Sequence, residues 1–142
     1  MSYLLDTNVL SELRKPRPDT NVKAWFGSVR GADLHLSVLV IGEIRQGVER
    51  LRRRDPVRAV PYDAWLGTLQ REYADRVLPI TSAVAEAWGR LNAGEQISVV
   101  EGLMAATAVT HGLTFVTRNM ADVAGRGIDC LNPWDDRPSP GR

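Results

Sequence analysis

The sequence predicts an α/β protein, a three-layer sandwich in which helices cover a short parallel sheet. Short apolar segments alternate with longer amphipathic ones, and most amphipathic segments follow a Ser, Thr or Asp suited to cap a helix. The length of 142 residues, with 44% hydrophobic and 25% charged residues, fits one domain with a single core. We assign this domain to residues 1–134. Residues 135–142, which contain two prolines, a glycine and no apolar side chain, are expected to form a flexible tail.

The individual elements follow from the caps and the apolar spacing. Strands are predicted at residues 3–5, 34–36, 77–80, 114–116 and 128–131. Helices are predicted over residues 8–14, 20–26, 38–53, 62–73, 82–91 and 99–110. Pro16 and Pro18 separate the first two helices, Asp55-Pro56 marks a boundary, and Gly112 is suited to end the last helix.

Composition excludes several classes of protein. The formal net charge of +1 argues against a broadly basic nucleic-acid binder, although it says nothing about local fields. No apolar segment is long enough to span a bilayer, and Asp6 interrupts any N-terminal signal-like segment. The lone Cys130 excludes an intramolecular disulfide and a cysteine zinc site. We therefore expect a soluble cytoplasmic protein with no membrane partner.

Polar residues recur where predicted strands end. Asp6 directly follows the first strand, Glu43 lies in the helix after the second, Glu101 begins the helix at 99, and Asn119 and Asp122 follow the strand at 114–116. Ligands of parallel α/β sheets bind beyond the carboxyl ends of the strands, so these residues are expected to converge there. Clustered carboxylates repel one another unless a cation neutralises them, and oxygen ligands suit Mg²⁺ or Mn²⁺.

Each of these residues also has a simpler interpretation. Asp6 alone is a good helix N-cap, Glu43 is an ordinary solvated helix residue, and Glu101 and Asp122 are ordinary surface acids. A doubly wound phosphatase or nucleotide binder is a weaker alternative, because no glycine-rich phosphate loop follows Leu5. Spacing alone therefore leaves the metal site open.

Four segments, in order, resemble one known family. LLDTNVLSE (4–12), LS with IGEIRQG (36–37 and 41–47), and EGLMAATA with FVTRN (101–108 and 115–119) resemble PIN-domain ribonucleases. LNPW (131–134) resembles the end of the FitB-like branch of VapC toxins. The resemblance implies a PIN-like fold and a metal-dependent endoribonuclease toxin that uses Mg²⁺ or Mn²⁺ to cleave structured RNA. It also implies a cognate VapB-type antitoxin as partner, and a homodimer or a toxin–antitoxin hetero-oligomer.

The resemblance also assigns roles to single residues. Asp6 and Glu43 match the first two acids of the family, Glu101 stands where the family normally has aspartate, and Asn119 stands where it has aspartate or asparagine. Asp122 is a nearby carboxylate that assists, and Thr7 and Thr117 match hydroxyl residues that line such sites; the implied metal ligands are Asp6 and Glu101. The alternative is a catalytically weakened PIN-like protein that acts only as a binding partner of the antitoxin, with Glu101 as its sign.

Three further features concern packing and partners. Six arginines lie close together: Arg45, Arg50, Arg52, Arg53, Arg54 and Arg58. They form a solvated helix end, an RNA backbone contact or a docking surface for an acidic partner. Trp25, Trp65 and Trp88 are expected in the core or in an interface rather than as base-stacking platforms. The helices at 38–53 and 62–73 carry more apolar residues than a small sheet covers, which predicts a protein interface.

Overall fold

The computed structural model describes residues 1–95, 97–123 and 125–135. Within them the chain forms seven α-helices, one 3-10 turn (Gly31–Asp33) and five strands. The strands are β1 (Tyr3–Leu5), β2 (Leu34–Ser37), β3 (Val77–Leu78), β4 (Thr114–Val116) and β5 (Cys130–Leu131). The helices are α1 (Thr7–Arg14), α2 (Thr20–Ser28), α3 (Val38–Arg54), α4 (Pro56–Glu72), α5 (Ser82–Leu91), α6 (Val99–His111) and α7 (Met120–Val123).

The strands form one parallel sheet in the order β3-β2-β1-β4-β5. The chain moves outward from β1 through β2 to β3, and then crosses to β4 on the other side of β1. Because parallel crossovers are right-handed, helices on the two routes cover opposite faces of the sheet. The predicted α/β fold class is confirmed, and the strand order reverses between β1 and β4.

Side-chain caps explain where most helices begin. Asp6, Asp19, Ser37, Asp55, Thr81 and Ser98 each accept a backbone N–H from the first turn of the helix that follows. Helix α6 ends at Gly112, whose φ of 65° is the left-handed conformation that glycine adopts without strain.

The core forms where the sheet meets these helices. Leu4 and Leu5 of β1, Leu36 of β2, and Phe115 and Val116 of β4 are fully buried. Central strands that are buried on both faces read as continuous apolar runs, as these do. The described residues contain no helix that is long and apolar enough to cross a membrane.

Several predicted boundaries need correction, among them that of β3, which is limited to Val77–Leu78 rather than residues 77–80. Helix α4 begins at Pro56, not at residue 62, because Asp55 caps it and Pro56 occupies its first turn; it continues through Pro61. Strand β5 is limited to Cys130–Leu131, and the short helix α7 was not predicted. Trp134 is packed against the core. The tail prediction falls mostly outside the described residues, and the division at residue 134 stays a prediction.

The sequence also predicted that the helices at 38–53 and 62–73 carry more apolar residues than the fold can bury, and most of these residues are in fact buried. Val40, Ile44 and Val48 of α3 and Leu66 and Leu69 of α4 are buried in the main core, where α3 and α4 pack together. The exposed apolar residues of α4 are at its N-terminal end, where Val57 is 81% exposed and Val60 is 62% exposed.

Candidate active site

Asp6 lies at the point where the strand order reverses. It directly follows β1, and its backbone N–H donates to the carbonyl of Val116 at the end of β4 (2.9 Å). Around it opens a cleft of about 280 Å³, lined by residues from α1, α3, α6 and the segment after β4. Four predicted site residues line this cleft together: Asp6, Glu43, Glu101 and Asn119.

The Asp6 carboxylate is buried and held at both oxygens. Oδ1 accepts the N–H of Thr7 (2.7 Å), and Oδ2 accepts the hydroxyl of Thr117 (2.6 Å). Burial raises the pKa of Asp6; the bonds from Thr117 and Thr7 oppose this, and the charge of Glu43 adds to it. Asp6 therefore caps α1, as its simpler interpretation has it, and also presents a desolvated anion to the cleft.

Glu43 faces Asp6 through Thr7. It lies on α3, is exposed, and accepts the Thr7 hydroxyl at Oε1 (2.5 Å). Thr7 thus contacts both carboxylates, with its N–H on Asp6 and its hydroxyl on Glu43. This contact fixes the Glu43 carboxylate at the cleft although its side chain is solvated.

Glu101 adds a third carboxylate, from the first turn of α6. Ser98 and Glu101 have the spacing of a capping box, and the Ser98 hydroxyl accepts the Glu101 N–H (3.3 Å). The second hydrogen bond of a capping box, from the Ser98 backbone N–H to the Glu101 carboxylate, is not formed between these two described residues. Glu101 Oε2 instead accepts from Asn119 Nδ2 (3.3 Å). Glu101 Oε1 is buried and, among the described residues, has no hydrogen-bond partner.

These surroundings favour the protonated form of the Glu101 carboxyl group. Burial is the main cause that raises its pKa to about 7; the charges of Asp122 and Asp6 add to the rise, and the Asn119 bond opposes it. Asp122 lies on α7 and is exposed. It is not among the residues that line the cleft, so it acts on Glu101 from outside it.

Sequence reasoning missed two residues that organise this region. Ser98 lines the cleft and caps α6; its signal was the Ser-x-x-Glu spacing to Glu101. Arg126 donates to the carbonyls of Leu91 (2.7 Å), Glu95 (2.7 Å) and Asp122 (3.1 Å), joining α7 to the segment between α5 and α6. Nothing in the sequence pointed to Arg126, because two of its three acceptors are backbone carbonyls of residues more than 30 positions away.

The donor set fits a hard divalent cation. Asp6 and Glu101 offer carboxylate oxygens, Glu101 Oε1 is buried without a partner, and both pKa values are raised without a cation. In the part of the chain that the structure describes, no three acidic, histidine or cysteine side chains form a ready-made metal group. A cation there would therefore complete its coordination with neutral oxygens and water, which suits Mg²⁺.

The parallel sheet and the acidic cleft at its switch point place the chain in the class of α/β proteins whose ligand site lies beyond the carboxyl ends of the strands. The sequence profile of the family described as "PIN domain" matches residues 3–121, and the chain belongs to this family. It is 33% identical to Toxin FitB of Neisseria gonorrhoeae over 138 residues, covering 94% of this chain and 99% of the relative. It is 34% identical to VapC ribonuclease Y4jK of Sinorhizobium fredii over 137 residues, covering 93% and 97%.

A solved structure extends this similarity to three dimensions. The crystal structure of FitAcB from Neisseria gonorrhoeae matches with a TM-score of 0.83 and 32% identity, covering 93% of this chain and 98% of that one. The resemblance noted from the four sequence segments is thereby confirmed at the level of family and fold.

Proposed function

We propose that the protein is a metal-dependent endoribonuclease, the toxin of a toxin–antitoxin pair. The observation that carries the proposal is the convergence of Asp6, Glu43, Glu101 and Asn119 on one cleft at the switch point of a PIN fold. Relatives of nearly full coverage are named as a toxin and as a VapC ribonuclease, which supports the same activity.

In this proposal Asp6 and Glu101 hold Mg²⁺ or Mn²⁺. When bound, the ion supplies a water of lowered pKa and offsets charge on the phosphate. Asp6 is oriented by Thr7 and Thr117, so its free lone pairs face the cleft at a fixed position. Asn119 Nδ2 orients Glu101 through Oε2. Glu43, held by the Thr7 hydroxyl, accepts a proton from the attacking water at its carboxylate.

Asp122 has an assisting role, through its charge next to Glu101. That charge favours the protonated form of Glu101 in the free protein and adds to the negative field that attracts a cation. Because the cleft floor is acidic, a bound cation is also needed before RNA phosphate enters.

A binding-only protein is the second candidate, and Glu101 is the observation that favours it. Glutamate is one methylene longer than the aspartate that the family normally has at this position, which places its carboxylate about 1 Å further from the backbone. In this alternative the protein holds its antitoxin and cleaves RNA slowly or not at all.

In either case the partner is a cognate VapB-type antitoxin. The protein acts in the cytoplasm, and it forms a homodimer or a toxin–antitoxin hetero-oligomer. The exposed Val57 and Val60 on α4 support an apolar contact with another chain. Light scattering on the purified protein, with and without the antitoxin, measures this assembly. A monomer that shows no affinity for the antitoxin contradicts it.

The test of activity is cleavage of structured RNA by the purified protein. Cleavage should stop in excess chelator and return with Mn²⁺ or Mg²⁺. Asp6→Asn should lose at least about a hundredfold in rate while staying folded, because it removes a charged cation ligand. Asp75→Asn, at an aspartate whose side chain is 85% exposed, is the matched control and should cleave normally. Cleavage that persists in chelator rejects metal dependence, and antitoxin binding without cleavage supports the second candidate.

A further inference from the structure

A second cavity lies beside the catalytic cleft. It has a volume of about 340 Å³ and is bounded by residues of α1, α3 and α4. Thr7 and Glu43 line both this cavity and the cleft. The two spaces are therefore neighbours, and the Thr7–Glu43 hydrogen bond lies on their common boundary.

The cavity contains positive charge that the protein itself does not neutralise. Arg54, at the end of α3, and Arg58, in the first turn of α4, line it, and within the described residues neither side chain forms an ion pair. Arg45 and Arg52 differ: both pair with Asp63, and both pair with Glu49. The predicted arginine cluster thus has three parts: a neutralised pair between α3 and α4, an available pair in the cavity, and the exposed Arg50 and Arg53 outside it.

The same cavity presents two aromatic side chains. Tyr62 and Trp65 of α4 line it, and both are only partly buried. The guanidinium of Arg14 lies 3.9 Å from the ring centroid of Tyr62 and 5.4 Å from that of Trp65, so α1 fixes both rings by cation–π contacts. Trp65, predicted in the core or in an interface, packs against the core and also lines the cavity.

We propose that this cavity binds one unpaired nucleotide of the RNA substrate, next to the nucleotide whose phosphate enters the cleft. Arg54 and Arg58 contact the backbone phosphate, and Tyr62 and Trp65 contact the base. Cationic groups interleaved with aromatic rings are the recurring means of binding single-stranded nucleic acid. The inference rests on the proposed function, because it takes the cleaved chain to be RNA.

Size favours a nucleotide over a protein segment. A cavity of about 340 Å³ lies near the lower end of the range of about 300–1,000 Å³ that small ligands occupy. A helix, about 10–12 Å across with its side chains, is too wide to enter a volume of this size.

The test measures affinity for a labelled single-stranded oligoribonucleotide by fluorescence anisotropy. The Asp6→Asn background is used so that the RNA stays intact. Arg54→Ala with Arg58→Ala should weaken binding at least about tenfold. It should also reduce the slope of log K against log salt by about 0.7, the value for one lost phosphate contact. Arg50→Ala with Arg53→Ala is the matched control, since both residues are exposed, lie on α3 and are not in the cavity lining. It changes the net charge equally and should weaken binding no more than about twofold.

A second pair of variants tests the aromatic contact. Trp65→Leu should weaken binding about tenfold, whereas Trp65→Phe keeps a ring and should retain most of the affinity. Circular dichroism confirms that both are folded. A fully paired RNA of the same sequence should bind less tightly than the single strand.

Several results overturn the proposal. Equal losses for the two arginine pairs show bulk electrostatic attraction, and equal binding of paired RNA excludes a site for an unpaired nucleotide. Unchanged RNA affinity together with weakened binding of the purified antitoxin assigns the cavity to a protein partner. Failure of wild-type protein to cleave RNA with any divalent metal counts against the proposed function alone, because the cavity is judged by binding.

Discussion

The hydroxyl of Thr117 donates to Oδ2 of Asp6 over 2.6 Å and connects the ends of β4 and β1. The same hydroxyl oxygen accepts the N–H of Asn119 (3.1 Å), so one fully buried side chain orients two residues of the cleft. The Asp6 carboxylate is held without a charged partner, because it accepts hydrogen bonds from the Thr117 hydroxyl and the Thr7 N–H.

Replacing Thr117 by valine tests this arrangement at nearly constant shape. Thr117→Val should lower the free energy of unfolding by about 1–3 kcal/mol, because Asp6 Oδ2 and the Asn119 N–H lose a buried partner. The pKa of Asp6 should rise further, and RNA cleavage should fall. Thr117→Ser retains the hydroxyl and should keep most of both properties. Urea denaturation and cleavage rates measure the effects, and equal behaviour of the two variants contradicts a role for the hydroxyl.

Glu101→Asp tests the length of the third carboxylate arm. Glutamate carries one methylene more than aspartate, and misplacement by about 1 Å costs up to about a hundredfold in rate at a reacting centre. Glu101→Asp should therefore raise RNA cleavage and tighten Mn²⁺ binding. A variant no faster than wild type shows that the site is adjusted to glutamate. If Glu101→Gln is equally active, Glu101 is not a cation ligand.

Stability of the cation-free protein should depend on pH through Glu101. Its pKa is raised to about 7 from 4.5, so between these values the folded protein holds a proton that the unfolded chain has released. Stability should therefore fall as pH rises through this window, and the loss should be complete above about pH 7. We expect about 1 kcal/mol, because the side chain is partly solvated. Denaturation at pH 5 and pH 8 measures the fall, which Glu101→Gln should remove and Glu86→Gln, at an exposed helix position, should leave unchanged.

Gly102 permits the close approach of α5 and α6. A Cβ there would lie 3.0 Å from Trp88 Nε1 and 3.1 Å from Asn92 Nδ2. Gly102→Ala should destabilise the protein by about 1–3 kcal/mol through overpacking, despite the better helix propensity of alanine. Gly89→Ala, on α5 with nothing within 4 Å of its Cβ, should instead stabilise it by about 0.5–1 kcal/mol. Thermal denaturation of both variants checks the opposite signs.

Arg126 is predicted to stabilise the segment that precedes α6. Arg126→Ala leaves three backbone carbonyls without their charged donor, so it should cost about 1–3 kcal/mol. Arg126→Lys should recover only part of this, because an ammonium lacks the fork geometry of guanidinium. Arg90→Ala, at a side chain that is 71% exposed, should change stability by less than about 0.5 kcal/mol. Equal losses at Arg90 and Arg126 in urea denaturation would falsify this role.

Local sequence signals predicted most of the fold. Caps such as Asp19 and Ser37 act within a few residues, and Gly112 ends α6 by its own conformation, so these limits are readable from the chain. The start of α4 was not predicted: the helix was placed from residue 62, whereas it begins at Pro56 and continues through Pro61. Proline removes one helix hydrogen bond, and here the cap at Asp55 and the packing of Leu66 and Leu69 outweigh that loss.

The site was predictable only in part, because sequence signals act over a few residues and most contacts of the site join distant ones. Asp6 follows a strand directly, and parallel topology determines its place. The contact between Glu101 and Asn119 spans 18 positions and depends on how α6 meets the segment after β4, which no local pattern encodes. Topology had singled out both residues and the family resemblance gave them roles, whereas the lack of a hydrogen-bond partner at Glu101 Oε1 required coordinates.

The outermost strands of the sheet, β3 and β5, are only two residues long, and Pro79 directly follows β3. An edge this short offers an incoming strand almost no unpaired backbone groups, and proline contributes no N–H at all. Strand addition and edge-to-edge aggregation are thereby blocked. A partner chain must recognise side chains on the helices, so substitutions on the surface of a helix can alter the choice of partner without disturbing the sheet.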